Sequence, residues 1–496
     1  MESGDSFRNK IVIAVSKYFP SLPPIFKLVT VKNFTISLYA FHLRHTLTYS
    51  PEVVADANLL WENLAKLGEG PLPFPGLRDL RSKLVCYQNG KYEPEREQGR
   101  ETEWLTDLGS LHLGSIPTAE AFKIKASLQP FRLNDTYAVD LTLSPESENI
   151  SIDLPQLQLF KSDCLLPSNI QASLGQTLWI YGEVDATENC EALAERFAVA
   201  LLAGTNLNLV LINISKLFGS LFFEYQVNAL YDLHKPGEQF HILVSLNNYQ
   251  APTAKLAEDA YDWILNLLCC YHKILFAYDQ FRWRYIQTGK QYREVEQESQ
   301  YFIGNLSRPS TNWLQKSQEL LIKLQVQLFE CARNLHDLEN YRTTISINMD
   351  NYKLCLDKIR QLCLEEDNLG FLEDFHNYRC HKFQQQIQID LSYLTSSYAR
   401  LQQMLQIIQG SISGIVAIDR AERTQRIQGT IQSLGWSTGT GVISTVLTSS
   451  QPIQLPFAPK SSPPFQLSLS LSLLLGIVVG GLTWLITKQL QRRGTR

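Results

Sequence analysis

Residues of the types that bind metal ions occur in two clusters in the C-terminal half of the chain. The first has histidine and cysteine four residues apart, with another cysteine upstream: Cys363, His376, Cys380 and His381. The second is Cys269, Cys270 and His272. Zinc sites usually combine two paired halves such as CxxC or HxxxH, which neither cluster has. Because cysteine is also a common small core residue, we expect packing roles here and predict neither a bound metal nor a cofactor.

No stretch of the chain has the spacing of a familiar catalytic motif. The patterns GxxxxGK[ST], GxGxxG, HExxH and GxSxG are all absent. Glu183 and Asp185 could form a carboxylate pair at a strand end, but the sequence identifies no catalytic partner for them. Arg78, Arg81 and Lys83 could bind an anionic ligand or a lipid headgroup, although such a cluster is typical of a solvated helix face. We therefore predict that the chain is not an enzyme.

Composition limits the class of protein. The chain has 496 residues, enough for two or three folding units, and its charged fraction of 19% is ordinary for a globular protein. A net charge of −4 provides no general attraction to nucleic acid, so we expect no nucleic-acid partner. The nine cysteines are scattered without the spacing of a disulfide framework, which is typical of a reducing compartment.

The first half of the chain, residues 1–250, mixes strand and helix patterns. Asn33–Leu43 is rich in β-branched and aromatic residues and predicts a strand. Later runs such as TYAVDLTL and QTLWIYGEV alternate apolar and polar residues between turn-forming residues. Glu188–Gly204 has helical spacing and ends at glycine. Strands in runs with only occasional helices favour an α+β domain over a doubly wound sheet.

Residues 251–429 contain three long segments with helical periodicity, and such lengths are typical of a coiled coil. The third segment begins at Phe371 and carries apolar residues spaced alternately four and three apart. This heptad seam consists of Ile387, Leu391, Leu394, Tyr398, Leu401, Leu405, Ile408, Ile412 and Ile415. It predicts a left-handed supercoil. The seam could close against the other two helices of the same chain, against copies of itself, or both.

An apolar stretch near the C-terminus, Leu467–Thr487, contains no charged side chain. As a helix it would extend about 31 Å, enough to cross the hydrocarbon core of a bilayer. Its Gly476-x-x-x-Gly480 spacing would allow close packing against another membrane helix. The tail at 488–496 is basic, and this charge bias predicts a cytoplasmic C-terminus. We therefore expect a transmembrane helix, with the lipid bilayer as a partner.

The charge bias also implies a second crossing. The first residues include Glu2, Asp5 and Lys10 and lack the apolar core of a signal peptide, so the N-terminal domain is expected in the cytoplasm together with the tail. The uncharged segment 434–450 is the candidate first transmembrane helix, followed by a Pro/Ser-rich loop at 451–466. Its hydroxyl side chains would suit a helix that lines an aqueous path. The pore-lining candidates are Thr438, Thr440, Ser444, Thr445 and Thr448. The alternative is a flexible Gly/Ser/Thr-rich linker before a single tail anchor.

This layout resembles that of the CorA-type divalent-cation channels. Their arrangement is an α+β cytoplasmic domain, long helices, one very long stalk helix entering the membrane, a short outer loop and a second span with a basic tail. The resemblance covers residues 251–496 in organisation and the N-terminal half more loosely. It implies a homo-oligomer, pentameric in that family, with the first span around the pore. The family's Gly-Met-Asn tripeptide is absent, and the corresponding place reads TSSQPIQLP.

Two functions follow as hypotheses. The first is an oligomeric CorA-like ion channel or transporter in the membrane, with the bulk of the chain cytoplasmic. The second is a tail-anchored coiled-coil scaffold or tethering protein whose N-terminal domain binds an unidentified protein partner. We expect copies of the chain to associate through the stalk. The predicted fold class is an α+β cytoplasmic domain followed by a long α-helical coiled-coil stalk and a C-terminal transmembrane helix or helices.

Overall fold

The computed structural model describes a large sheet domain and the long helices that follow it. The described residues are 31–47, 52–100, 102–120, 122–147, 150–153, 155–203, 205, 207–227, 240–248, 253–304 and 313–419. The strands are β1 (Lys32–Leu43), β2 (Tyr87–Gln88), β3 (Lys91–Tyr92), β4 (Leu111–Pro117), β5 (Lys123–Leu133), β6 (Thr136–Pro145), β7 (Gly175–Glu183), β8 (Leu209–Leu217), β9 (Ser220–Val227) and β10 (Phe240–Asn247).

The helices of the sheet domain are short, and three long helices with two short ones follow it. In chain order the helices are α1 (Leu59–Glu69), α2 (Pro75–Arg78), α3 (Leu80–Lys83), α4 (Pro167–Ile170), α5 (Cys190–Leu201), α6 (Thr253–Asp259), α7 (Tyr261–Gly304), α8 (Trp313–Leu362), α9 (Gly370–Asp374) and α10 (His381–Asp419). A π-helical turn, Phe375–Cys380, joins α9 to α10. Short 3-10 turns occur at Pro94–Glu97, Pro155–Phe160 and Ser162–Leu165.

Within the described residues, eight strands form one mixed sheet in the order β4-β5-β6-β1-β7-β10-β9-β8. Neighbouring strands are antiparallel except β7 and β10, which run parallel. The β8–β9 hairpin turns through Phe218 and Gly219, both at positive φ. Two such residues match the type I′ turn that suits the twist of a tight hairpin.

The two faces of the large sheet are covered by different parts of the chain. Along β1, Phe34, Ile36 and Leu38 belong to a core that α1 and α5 cover. Because side chains alternate across a strand, the intervening positions face the other way. At the end of β1, Phe41 and Leu43 belong to a second core that includes residues of α7, α8 and α10. The sheet is therefore a middle layer between two cores.

Helices α7, α8 and α10 form a three-helix stalk. α7 and α8 are 44 and 50 residues long, about 66 and 75 Å at 1.5 Å per residue. The heptad seam of α10 faces these two helices of the same chain, and its residues from Ile387 to Ile412 are buried there. Ion pairs also cross the bundle, with Arg284 and Asp337 at 2.6 Å and Arg400 and Glu296 at 3.0 Å.

The loop between α8 and α9 fastens the stalk to the sheet. The Asp367 carboxylate accepts hydrogen bonds from the backbone N–H groups of Phe218 and Gly219 at 2.8 and 2.9 Å. The backbone N–H of Asn368 donates to the Lys216 carbonyl at 2.7 Å. Because a carboxylate of the stalk holds the hairpin turn of the sheet, the two parts have a defined relative position.

No helix in the described part of the chain is both long and apolar enough to cross a membrane. This finding contradicts the predicted fold class, which ended in transmembrane helices, and the predicted membrane localisation. Each long stalk helix buries apolar residues in the bundle and also carries charged residues along its length. The architecture that the structure supports is a large mixed sheet with helices, followed by a helical stalk. The predicted spans 434–450 and 467–487, the loop 451–466 and the tail 488–496 lie outside the described residues.

Candidate functional site

A cleft opens on the stalk-facing side of the sheet, beside the first turns of the stalk. Strands β1, β6 and β7 form its floor, and α6 with the start of α7 forms its roof. Its volume of about 550 Å³ lies within the range of small-molecule sites. Thr35 and Ser37 of β1 make the floor polar. They lie on the same face of β1 as Phe41 and Leu43, which come later in the strand. The stalk covers the apolar end of this face and leaves the polar end accessible.

A buried carboxylate lines the floor of the cleft. Asp140 of β6 is 3% exposed. It accepts hydrogen bonds from the Thr142 hydroxyl at 2.8 Å and the Tyr261 phenol at 3.0 Å, and Ser37 donates in turn to Thr142 at 2.7 Å. Burial raises the pKa of Asp140 to about 6, because the charged form loses hydration. The carboxylate is therefore still mostly ionised at neutral pH.

Aromatic rings form a wall of the cleft. The Trp179 ring of β7 meets the Phe222 ring of β9 edge to face, with centroids 5.1 Å apart, and lies 6.2 Å from the Tyr39 ring of β1. Burial, and secondarily the Asp140 charge, raises the pKa of Tyr39, so its phenol stays neutral. The cleft thus places an ionised carboxylate beside large neutral aromatic surfaces.

A second polar cluster lies on the same side of the sheet, under α7. The Thr177 hydroxyl is 2.9 Å from Nδ1 of His241 and 2.9 Å from Nε2 of His272, and all three residues are buried. Nδ1 of His272 has no hydrogen-bond partner among the described residues. Because a buried unpaired N–H is more unfavourable than an unpaired lone pair, we assign the proton of His272 to Nε2, which donates to Thr177. Burial lowers the pKa of His241 to about 3 and also lowers that of His272, so both rings stay neutral.

The outer faces of the stalk carry a further set of apolar side chains. On α8, Ile322, Val326 and Phe329 follow one another at intervals of four and three residues, and each is more than half exposed. Ile347 and Leu354 extend this stripe toward the sheet and are 54% and 53% exposed. On α10, the exposed residues opposite the heptad seam are Ile389, Tyr393 and Ile407. We call these two sets the outer stripes. Exposed apolar patches of this kind mark interaction surfaces.

The residues of the predicted heptad seam pack against helices of the same chain. Eight seam residues are buried between the stalk helices: Ile387, Leu391, Leu394, Tyr398, Leu401, Leu405, Ile408 and Ile412. Ile415 lies in α10, and its side chain is outside the described part. The residues predicted to line a pore or to pack membrane helices also lie outside the described residues: Thr438, Thr440, Ser444, Thr445, Thr448, Gly476 and Gly480.

Among the remaining candidates from the sequence, Glu183 and Arg81 have local partners. In the described part of the chain, no group of three or more His, Cys, Asp or Glu residues is placed to hold a metal ion. The Glu183 carboxylate accepts a hydrogen bond from the side chain of Asn33 at 2.8 Å. Arg81 of the basic cluster pairs with Glu62 at 3.0 Å. These contacts tie neighbouring elements together and do not converge on one site.

The sequence interpretation missed the cleft. The available signal was an aspartate inside an otherwise apolar strand, Asp140 in TYAVDLTL, together with Thr35 and Ser37 in the first half of β1. A strand buried on both faces usually reads as a continuous apolar run. Polar residues at only one end of a strand face therefore indicate that the helices covering the sheet do not extend over that end.

Models of known protein families do not match this chain, and no curated protein matches it either. The function is therefore argued from the stalk and the cleft themselves.

Proposed function

We propose that the protein is a self-associating scaffold: the sheet domain is a binding head, and copies of the chain associate through the outer stripes of the stalk. The observation that carries this proposal is the presence of two apolar faces on α8 and α10, at helical spacing and at least half exposed. A stalk helix needs only one apolar face to pack in its own bundle. The outer stripes are therefore not needed to hold the three-helix bundle together.

The position of the heptad seam supports the choice of surface. Its residues from Ile387 to Ile412 are already buried by α7 and α8 of the same chain. Association through the seam would require the bundle to open and would expose this core. Association through the outer stripes leaves the bundle intact. Because Asp367 fixes the stalk to the β8–β9 hairpin, associated stalks would hold their sheet domains in a defined arrangement.

Other functions have less support. The channel function implied by the CorA-type resemblance needs membrane-crossing helices, and none occurs in the described part of the chain. Catalysis is not part of the proposal, because the sequence offers no nucleophile, phosphate-binding or metal-hydrolase motif. Nucleic acid is not the proposed partner of the head, given the net charge of −4.

The test is the mass of the full chain in solution, measured by light scattering after size-exclusion chromatography. The wild type should elute as a multiple of the chain mass. The double variant Val326→Glu/Phe329→Glu should shift to a lower multiple or to single chains, because each glutamate would have to be buried in the interface. The matched control Gln297→Glu/Ser346→Glu adds the same charge at exposed polar positions of α7 and α8 outside the stripes and should leave the mass unchanged.

Circular dichroism of each variant confirms that the helices are retained. A wild-type chain that is monomeric at micromolar concentration would overturn the proposal. So would a stripe variant that keeps the wild-type mass.

A further inference from the structure

Among the described residues, no cation compensates the negative charge of the cleft at the root of the stalk. Asp140, Glu258 and Asp262 line it, and its described lining contains no lysine, arginine or histidine. None of the ion pairs formed among the described residues includes Asp140. Buried carboxylates are normally paired with a cation, because an isolated buried charge is strongly unfavourable. The Thr142 and Tyr261 hydroxyls supply hydrogen bonds to Asp140 but no positive charge.

The aromatic wall narrows the kind of cation that fits. Tyr39 of β1 lies directly opposite Asp140 on the neighbouring strand, and the Trp179 ring lies 6.2 Å from the Tyr39 ring. The negative faces of such rings attract ammonium and guanidinium groups. Inorganic divalent cations prefer several oxygen ligands in a close shell. In the described residues no group of three or more His, Cys, Asp or Glu side chains is placed so that it could hold a metal ion. A volume of about 550 Å³ also exceeds what a bare ion would fill.

We propose that this cleft binds a small organic cation, in which an ammonium or guanidinium group lies against Asp140 and Tyr39 and the apolar body extends toward Trp179. The exposed carboxylates of Glu258 and Asp262 at the roof would favour the approach of a cation over an anion. This site is separate from the outer stripes of the stalk. The proposal therefore does not depend on whether copies of the chain associate.

Isothermal titration calorimetry on the full chain tests the charge requirement. Choline and agmatine are the quaternary ammonium and guanidinium probes, and 3,3-dimethylbutan-1-ol is the uncharged isostere of choline. At least one of the two cations should bind saturably, and the neutral isostere should bind at least about tenfold more weakly than choline where choline is the ligand. Magnesium chloride should neither bind in the cleft nor displace the cation.

Two variants test the contacts. Asp140→Asn keeps the size of the side chain and removes its charge, so affinity should fall about tenfold or more. Trp179→Leu should weaken binding about fivefold, because it removes the ring face. Asp350→Asn and Trp283→Leu are the matched controls, since both residues are exposed on the stalk and far from the cleft in the fold. Both controls should bind as the wild type does.

The pH dependence gives an independent readout. Affinity should be constant above neutral pH and fall as pH drops through about 6, where Asp140 takes up a proton. The phenols of Tyr39, Tyr181 and Tyr261 also line the cleft, but burial raises the pKa of each. The exposed carboxylates Glu258 and Asp262 are the remaining titratable groups of the lining. Asp140→Asn should abolish the loss of affinity near pH 6.

Three results would overturn the proposal. One is the absence of saturable binding by both cations at millimolar concentration. Another is binding of the neutral isostere as tightly as choline, which would indicate a purely apolar site. The third is unchanged affinity in a folded Asp140→Asn variant, as judged by circular dichroism. A magnesium-dependent signal that requires Asp140 would instead identify an inorganic cation site.

Discussion

Two polar clusters lie on the same side of the large sheet and differ in how they accommodate burial. The cluster of Thr177, His241 and His272 is enclosed by α7 and stays neutral. The Asp140 cluster lies beyond the apolar end of that face and keeps an ionised carboxylate next to a cleft. The enclosed cluster is held by hydrogen bonds among its own members, with only a lone pair at Nδ1 of His272 left without a described partner, and it serves packing. The open cluster has no cationic partner among the described residues, which is a property expected of a binding site rather than of a core.

The two clusters should differ most in how much the free energy of unfolding falls when one of their side chains is removed. His272→Ala should lower the free energy of unfolding by about 3 kcal/mol, because it leaves a cavity in a closed core and removes one of the two hydrogen bonds of the Thr177 hydroxyl. Urea denaturation measures this change. The matched control His381→Ala removes an exposed imidazole from α10 and should change stability by about 0.5 kcal/mol or less. Equal losses in the two variants would mean that the enclosed cluster is not a packing element.

The next largest effect should be a loss of stability at acidic pH that arises from the enclosed cluster. The pKa of folded His241 is about 3, below the value of about 6.5 in an unfolded chain. The neutral ring therefore contributes its full stabilisation when the pH is above the pKa of the unfolded chain. This stabilisation is lost as the pH falls toward the pKa of the folded protein. The expected slope is at most about 1.4 kcal/mol per pH unit for this histidine.

Unfolding free energies of the wild type and His241→Gln, compared between about pH 7 and pH 5, isolate this effect. Asp140 and Glu224 have pKa values raised by burial to about 6 and 7, so their contributions to stability change with the opposite sign. Both carboxylates are present in the two proteins, and their effects cancel in the difference. Parallel pH profiles would show that His241 is not kept neutral by the fold.

A smaller loss should follow removal of one donor from the open cluster. Tyr261→Phe deletes the phenol that donates to Asp140 at 3.0 Å and should lower the free energy of unfolding by about 1 kcal/mol. Thermal or urea unfolding at neutral pH provides the measurement. Tyr301→Phe, on a 78% exposed ring of α7, is the control and should be nearly neutral. A stability gain in Tyr261→Phe would contradict a donor role for the phenol.

The smallest change is expected at Asp140 itself. Asp140→Asn should alter the free energy of unfolding by less than about 1 kcal/mol, since loss of a charge-assisted hydrogen bond is offset by relief of an unfavourable buried charge. The same denaturation experiment checks this value. A loss as large as that of His272→Ala would place Asp140 in the enclosed, structural class and would remove the contrast between the clusters.

Much of the architecture could be predicted from the sequence because it follows local periodicity. The strand pattern of Asn33–Leu43 corresponds to β1 at Lys32–Leu43, and the helical spacing of Glu188–Gly204 corresponds to α5 at Cys190–Leu201. The seam from Ile387 to Ile412 lies on one buried face of α10. Each of these features is set by neighbours a few residues apart. The membrane interpretation rested on hydropathy in segments outside the described residues, and no described helix is apolar enough to cross a membrane.

The sequence by itself determined which residues face inward where the periodicity is clear, as in β1 and along the heptad seam of α10. Only the tertiary structure decided what covers those faces. The heptad seam is compatible with packing within one chain or between chains, and the lengths and path of α7 and α8 close it within one chain. The cleft depends on a contact between Tyr261 and Asp140, which are 121 residues apart. Local periodicity carries no information about such a pair. The contact forms only because the first turn of the stalk packs on the sheet.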